Sequence, residues 1–182
     1  VTGPGCIENL GEIAAALGKR ALIVTGGSSA RRSGAIGKAT ASLETLGIST
    51  GFFEGVRGEP ETGVVDAIRS QITSCRADVV IAIGGGSAMD AGKAAAALAR
   101  EERPTLFFLH EGAGASPGIP LVTVPTTSGS GAEVTPNAVI SDPSGNAKQS
   151  LRNGAYLAAA AVVDPELTLS CPPRVTTVSY TH

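Results

Sequence analysis

A mainly parallel β-sheet with helices on both faces is the fold class this sequence predicts. Three observations carry that expectation. Short apolar runs alternate with longer stretches of helical spacing from Cys6 to Arg100. The runs are continuously apolar, as strands covered on both faces must be, and Val79 to Ile83 is the clearest. Glycine turns follow two of them, after Thr25 and after Ile83, at the carboxyl ends where sheets of this class bind ligands.

The elements follow in order. Residues 6 to 18 carry Ile7, Leu10, Ile13 and Leu17 at helical spacing, with Gly18 as the expected C-cap. Ala21 to Thr25 is a strand, Gly26, Gly27, Ser28 and Ser29 a turn, and Ala30 to Leu46 a helix weakened by Gly34 and Gly37. Ile48 to Phe53 is the next strand. A helix from Pro60 to Arg76 turns Val64, Val65, Ile68 and Ile72 inward. Asp78 to Ile83 is a strand and Ala88 to Arg100 its helix. His110 to Gly118 reads as a loop, Ile119 to Val124 as a strand ending at Pro125, and 126 to 135 as a Ser/Thr/Gly loop. Val134 to Ser141 is a strand that turns at Asp142 to Gly145 into its partner. Ala158 to Val163 is the last strand, and Pro172-Pro173 marks a linker or a further helix start.

The chain is organised around residues 78 to 97, D-V-V-I-A-I-G-G-G-S-A-M-D-A-G-K-A-A-A-A. Gly84, Gly85 and Gly86 let an anion approach the backbone, and Ser87 suits a helix N-cap. The free N–H groups of the first helical turn and the positive end of the dipole favour a phosphate there. The G-x-G-x-x-G fingerprint is not met, since Met89 stands at the third glycine position. The stretch alone is equally a glycine turn ending a buried strand.

Composition excludes several classes. A net charge of −2 gives no reason to expect nucleic acid or an acidic membrane surface as a partner. No apolar run reaches the length of a membrane span, and the N-terminus has no basic-then-apolar leader. Cys6, Cys75 and Cys171 are odd in number and widely spaced, which fits a reduced, cytoplasmic protein. The two histidines, His110 and His182, form no H-x-x-x-H pair, so no metal site assembled within this chain is expected.

Asp90 and Lys93, three apart on one helix face, are either a surface ion pair or a buttress with Lys93 near an anionic ligand. Arg31 and Arg32 are either a solvated face or a partner for a ribose 2′-phosphate. Lys148 has the same choice between solvent and a cofactor.

These motifs together resemble the iron-containing (group III) alcohol dehydrogenases. The carrying residues are G-G-G-S-A-M-D-A-G-K at 84 to 93, P-L-V-T-V-P-T-T-S-G-S-G-A-E-V-T at 120 to 135 and V-V-D-P-E-L-T at 162 to 168; F-F-E-G-V-R-G-E-P at 52 to 60 adds weaker support. The resemblance covers essentially the whole chain but only the family's N-terminal domain. It implies a Rossmann-like dinucleotide-binding domain over residues 1–182. Gly85, Gly86 and Ser87 would hold the coenzyme pyrophosphate, with Asp90 near the nicotinamide side. Thr126, Thr127 and Ser130 would line the opposite wall, and Lys148 would contact the nicotinamide ribose. Many NAD-preferring members place Asp after the first full strand. Gly26 stands there instead, followed by Gly27, Ser28 and Ser29, which looks like the NADP-using branch. The family's metal ligands, one Asp and three His, belong to a helical C-terminal domain absent from this chain, so no tightly bound metal is expected.

The resulting expectation is an NADP(H)-dependent oxidoreductase domain acting with a small alcohol or aldehyde, with room for a homo-oligomer. Three alternatives stand beside it. One is a catalytically incomplete coenzyme-binding module, another a dehydroquinate-synthase-like domain, and the last a plain structural domain with glycine turns.

Overall fold

The structure is a computed structural model that describes residues 1–111, 118–145 and 147–181. Its centre is a five-stranded, all-parallel sheet of β1 (Arg20–Thr25), β2 (Ser49–Phe53), β3 (Val79–Gly84), β4 (Leu121–Pro125) and β7 (Ala160–Ala161). The order across the sheet is β2-β1-β3-β4-β7. β5 (Asn137–Asp142) and β6 (Ala147–Arg152) form a separate antiparallel hairpin.

Alternate residues of each strand feed two cores, as a pleated strand requires. Leu22, Val24, Val80 and Ala82 face α4 (Thr62–Cys75) and α5 (Gly86–Ala97), packing with Val65, Ile68, Ile72 and Met89. Ala21, Ile23, Val79, Ile81 and Ile83 face the other way. There they meet Leu10 and Ala14 of α1 (Leu10–Ala15) and Ala35, Ala39 and Leu43 of α3 (Ala35–Thr45). β3 is buried along its whole length, as its unbroken apolar run predicts.

Several elements depart from the sequence expectation for local reasons. The helix expected over 30–46 is two: α2 (Ser29–Arg32) and α3, parted at Gly34, whose φ of +74° no helix interior adopts. Gly18 is no left-handed cap. It is small because Asp78 packs against it while accepting hydrogen bonds from Lys19 N (2.8 Å) and Arg20 N (2.7 Å). The left-handed residue that ends α4 is Arg76, at φ +51°.

His110 belongs to a helix, α6 (Thr105–Glu111), not to the loop expected from 110 onward. Phe108 and Leu109 bury its inner face, and Asp66, from α4, accepts from Thr105 N at 3.0 Å and from Thr105 Oγ1 at 2.6 Å. That capping carboxylate comes from 39 residues away, so no local pattern announces it. The rest of the expected loop, residues 112–117, and His182 lie outside the described residues. The strand expected from Val134 begins only at Asn137, because Val134 N closes a turn on Gly131 O. The last strand pairs over Ala160–Ala161 alone. Pro173 opens α7 (Pro173–Thr181). Among the described residues no helix is long and apolar enough to cross a membrane.

The Ala-rich composition of α5 follows from its position. A Cβ on Gly92 would lie 2.6 Å from the Cβ of Ala82, so the helix rides against β3 at a distance only small residues permit. Its other side carries the β5–β6 hairpin, through buried Ala138, Ile140 and Leu151.

Candidate functional site

The strand order reverses between β1 and β3: the chain leaves β1 toward β2 on one side and returns to β3, β4 and β7 on the other. Such a switch point opens a crevice at the carboxyl ends of the two strands. Both glycine turns sit there, and a Cβ on Gly84 would come within 3.9 Å of Gly26 N.

At the centre is the start of α5. Gly85 is its extended N-cap residue, with no side-chain cap. Ser87, expected as the N-cap, is instead the second helical residue, because Gly86 already has helical geometry. The first-turn N–H groups therefore face the crevice without a capping oxygen. Thr127 and Ser130 back this turn. A Cβ on Gly85 would lie 3.4 Å from Thr127 Oγ1, and one on Gly86 3.3 Å from Ser130 Oγ. Thr126 N donates to Gly84 O at 2.8 Å, which fastens the 126–130 loop to the end of β3. The Thr126 hydroxyl is buried and has no hydrogen-bond partner among the described residues.

Two recesses lie at this edge of the sheet, one beside each glycine turn. One, of about 190 Å³, is lined by Glu59, Pro60, Gly86, Ser87, Asp90, Val139, Ser141 and Lys148. The other, of about 520 Å³, is lined by Gly26, Gly27, Ser28, Arg31, Glu54 and Arg57. Ser29 opens α2 beside the second recess. Of the twelve residues singled out from the sequence, Gly86, Ser87, Asp90 and Lys148 line the first recess and Gly26, Gly27 and Ser28 the second, while Gly85, Thr126, Thr127 and Ser130 stand at the start of α5.

Several already have partners. Lys148 Nζ pairs with Glu59, and Glu59 Oε2 lies 3.4 Å from the Ser141 hydroxyl. The hydrogen bond from Lys148 holds the Glu59 carboxyl below its ordinary range. Asp90 and Lys93 are not a surface pair. Lys93 is 1% exposed and donates to Asp90 Oδ1 (3.3 Å), Thr135 Oγ1 (3.1 Å) and Asn137 O (2.8 Å). Asp90 Oδ2 accepts from Val139 N at 3.3 Å. Burial pushes the Asp90 carboxyl up and the Lys93 ammonium down, each partly offset by the other's charge. The pair docks the hairpin on α5. Ser28 Oγ accepts from Arg32 Nη1, and Arg31 Nη2 donates to both oxygens of Glu54, at 2.6 and 2.7 Å.

The family model for iron-containing alcohol dehydrogenases matches residues 1–165. The chain belongs to that family. It is 34% identical over 177 residues to a probable alcohol dehydrogenase, EutG, of Escherichia coli K12, covering 97% of this chain and 45% of that protein. Among solved structures it superposes on an archaeal halo-thermophilic Red Sea brine pool alcohol dehydrogenase with a TM-score of 0.92 at 32% identity, covering 98% of this chain and 47% of that one. It also superposes on a sulfoacetaldehyde reductase of Bifidobacterium kashiwanohense in complex with NAD+, with a TM-score of 0.88 at 28% identity, covering 98% and 48%. The chain therefore spans about half the length of these relatives.

The family name implies iron. Among the described residues no three His, Cys, Asp or Glu side chains converge as ligands, so this part of the chain does not fit an iron site.

Sequence reasoning missed Glu54, Arg57 and Glu59, all in the 52–60 segment read only as weak family support. The signal was present: these residues follow directly on β2, at the ligand-binding edge of the sheet.

Proposed function

We propose that the chain binds NADP(H) along this crevice and serves hydride transfer between that coenzyme and a small alcohol or aldehyde. The observation that carries the reading is the uncapped start of α5 at the switch point, walled by Thr126, Thr127 and Ser130. A pyrophosphate fits it, because unpaired N–H donors and the helix dipole point at the same place and glycine leaves room for the anion. The Thr126 hydroxyl would gain the partner it lacks. The bound nicotinamide would supply the carbon that gives or takes hydride. The protein's residues bind and orient it: Lys148 at the mouth of the smaller recess, the 126–130 loop as the opposite wall.

A nicotinamide coenzyme is further supported by the relative that carries NAD+. The choice of NADP(H) rests on this chain's own residues. Gly26 offers no carboxylate to repel a 2′-phosphate, and the recess it lines carries Arg31 and Arg57. A narrower reading, a coenzyme-binding part that needs further residues for chemistry, is favoured by the lack of a converging metal-donor set among the described residues.

The test is titration of the chain with NADPH and NADH, followed by nucleotide fluorescence. NADPH should bind more tightly, with a margin that shrinks as salt rises. Gly86→Val should abolish binding of both, since its backbone tolerates a side chain but the branched group fills the space before Ser130. A folded Gly86→Val protein with unchanged affinity would refute the site.

A further inference from the structure

We propose that Glu54 limits the preference for NADP(H) by competing with the 2′-phosphate for Arg31. The inference rests on the coenzyme reading above and deepens it.

Glu54 follows the last residue of β2, and Phe53 of that strand is in register with Val24 of β1. Its carboxylate therefore stands beside the carboxyl end of β1, over the turn that begins at Gly26. It is the only carboxylate among the residues lining the 520 Å³ recess, whose cations are Arg31 and Arg57. Both oxygens of Glu54 take the Arg31 Nη2 donor, at 2.6 and 2.7 Å. Arg57 makes no ion pair with any described residue. Arg32 is turned to Ser28 and does not line the recess.

The recess thus combines a guanidinium already neutralised and one unpaired, facing two glycines with no side chains to fill the space. A 2′-phosphate entering it meets Arg57 directly, but must displace or share Glu54 to reach Arg31, and it meets Glu54 as a like charge. A 2′-hydroxyl faces neither demand. Glu54 therefore penalises the phosphorylated ribose selectively, and its removal should widen the preference for NADP(H). The effect is moderate, because Arg31 and Glu54 are 64% and 39% exposed and water screens the pair.

The experiment measures affinities for adenosine 2′,5′-bisphosphate and for 5′-AMP, which differ only in the 2′-phosphate, by calorimetry on wild type and Glu54→Gln. Glu54→Gln should tighten the bisphosphate by roughly three- to tenfold, the scale of one screened charge-assisted contact, and leave 5′-AMP unchanged. Arg31→Gln should weaken the bisphosphate, and adding it to Glu54→Gln should remove the gain. Equal changes for both nucleotides, or no change, would overturn the proposal. So would a loss of 5′-AMP affinity in Glu54→Gln, which would make the carboxylate a direct acceptor for the ribose hydroxyls. If folded wild type binds neither nucleotide nor either coenzyme, the coenzyme reading itself fails and this inference falls with it.

Discussion

Thr126 is 2% exposed, and its hydroxyl has no hydrogen-bond partner among the described residues. An unpaired buried hydroxyl costs about 1–3 kcal/mol in a protein. It stands beside the uncapped start of α5, where the proposed coenzyme would supply the partner it lacks. Thr126→Val keeps the branched shape and removes the unpaired group. The free protein should be as stable as wild type or more so, by up to about 1 kcal/mol in chemical denaturation. NADPH affinity should fall several-fold. A destabilised free protein would mean that the hydroxyl is already satisfied. The motif P-T-T-S-G-S-G makes Thr126 a candidate from the sequence; the missing partner is visible only in three dimensions.

The β5–β6 hairpin is held by charges at both ends. Asp90 and Lys93 fasten its start to α5. At its turn Asp142, 3% exposed, accepts from Ser144 Oγ (2.6 Å) and Ser144 N (2.8 Å), and its Oδ2 lies 2.9 Å from His110 Nε2 of α6. The Ser144 hydroxyl first, and His110 next, hold the Asp142 carboxyl at about 2, below its ordinary 3.8. The folded state therefore binds that proton less tightly than the unfolded chain. The contribution is present above pH 3.8 and is lost as pH falls toward about 2. Thermal melts followed by circular dichroism should show wild-type Tm dropping more steeply than that of Asp142→Asn across this window. Parallel slopes would show that Asp142 is not held in this way. Lys148 and Ser141 of the hairpin line the smaller recess, so its seating bears on the site as well as on stability.

The order β2-β1-β3-β4-β7 sets β1 beside β3, so that the turns that follow Thr25 and Ile83, almost sixty positions apart, meet at one edge of the sheet. Among the described residues it brings no three metal donors together: three fixed protein ligands are usual for a catalytic metal, and His110 is committed to Asp142. Coenzyme binding by the purified chain should therefore survive a strong chelator, with less than stoichiometric transition metal by elemental analysis. A stoichiometric metal that resists chelation, or robust alcohol turnover abolished by it, would contradict this.

The strand–helix alternation, the continuously apolar β3 and the glycine turns were legible because they are local. Periodicity, burial on two faces and backbone freedom are written in neighbouring residues. Family membership was legible for a related reason: three motifs in fixed order leave little room for coincidence. What the tertiary structure alone decided is the partner of each charge. Lys93 lies in the core and not at the surface, Arg31 is held by Glu54, Lys148 by Glu59, and α6 is capped by Asp66. A charge's partner depends on which elements the fold brings within a few ångströms, across separations of 23 to 89 residues for the last three, and spacing along the chain carries no record of that.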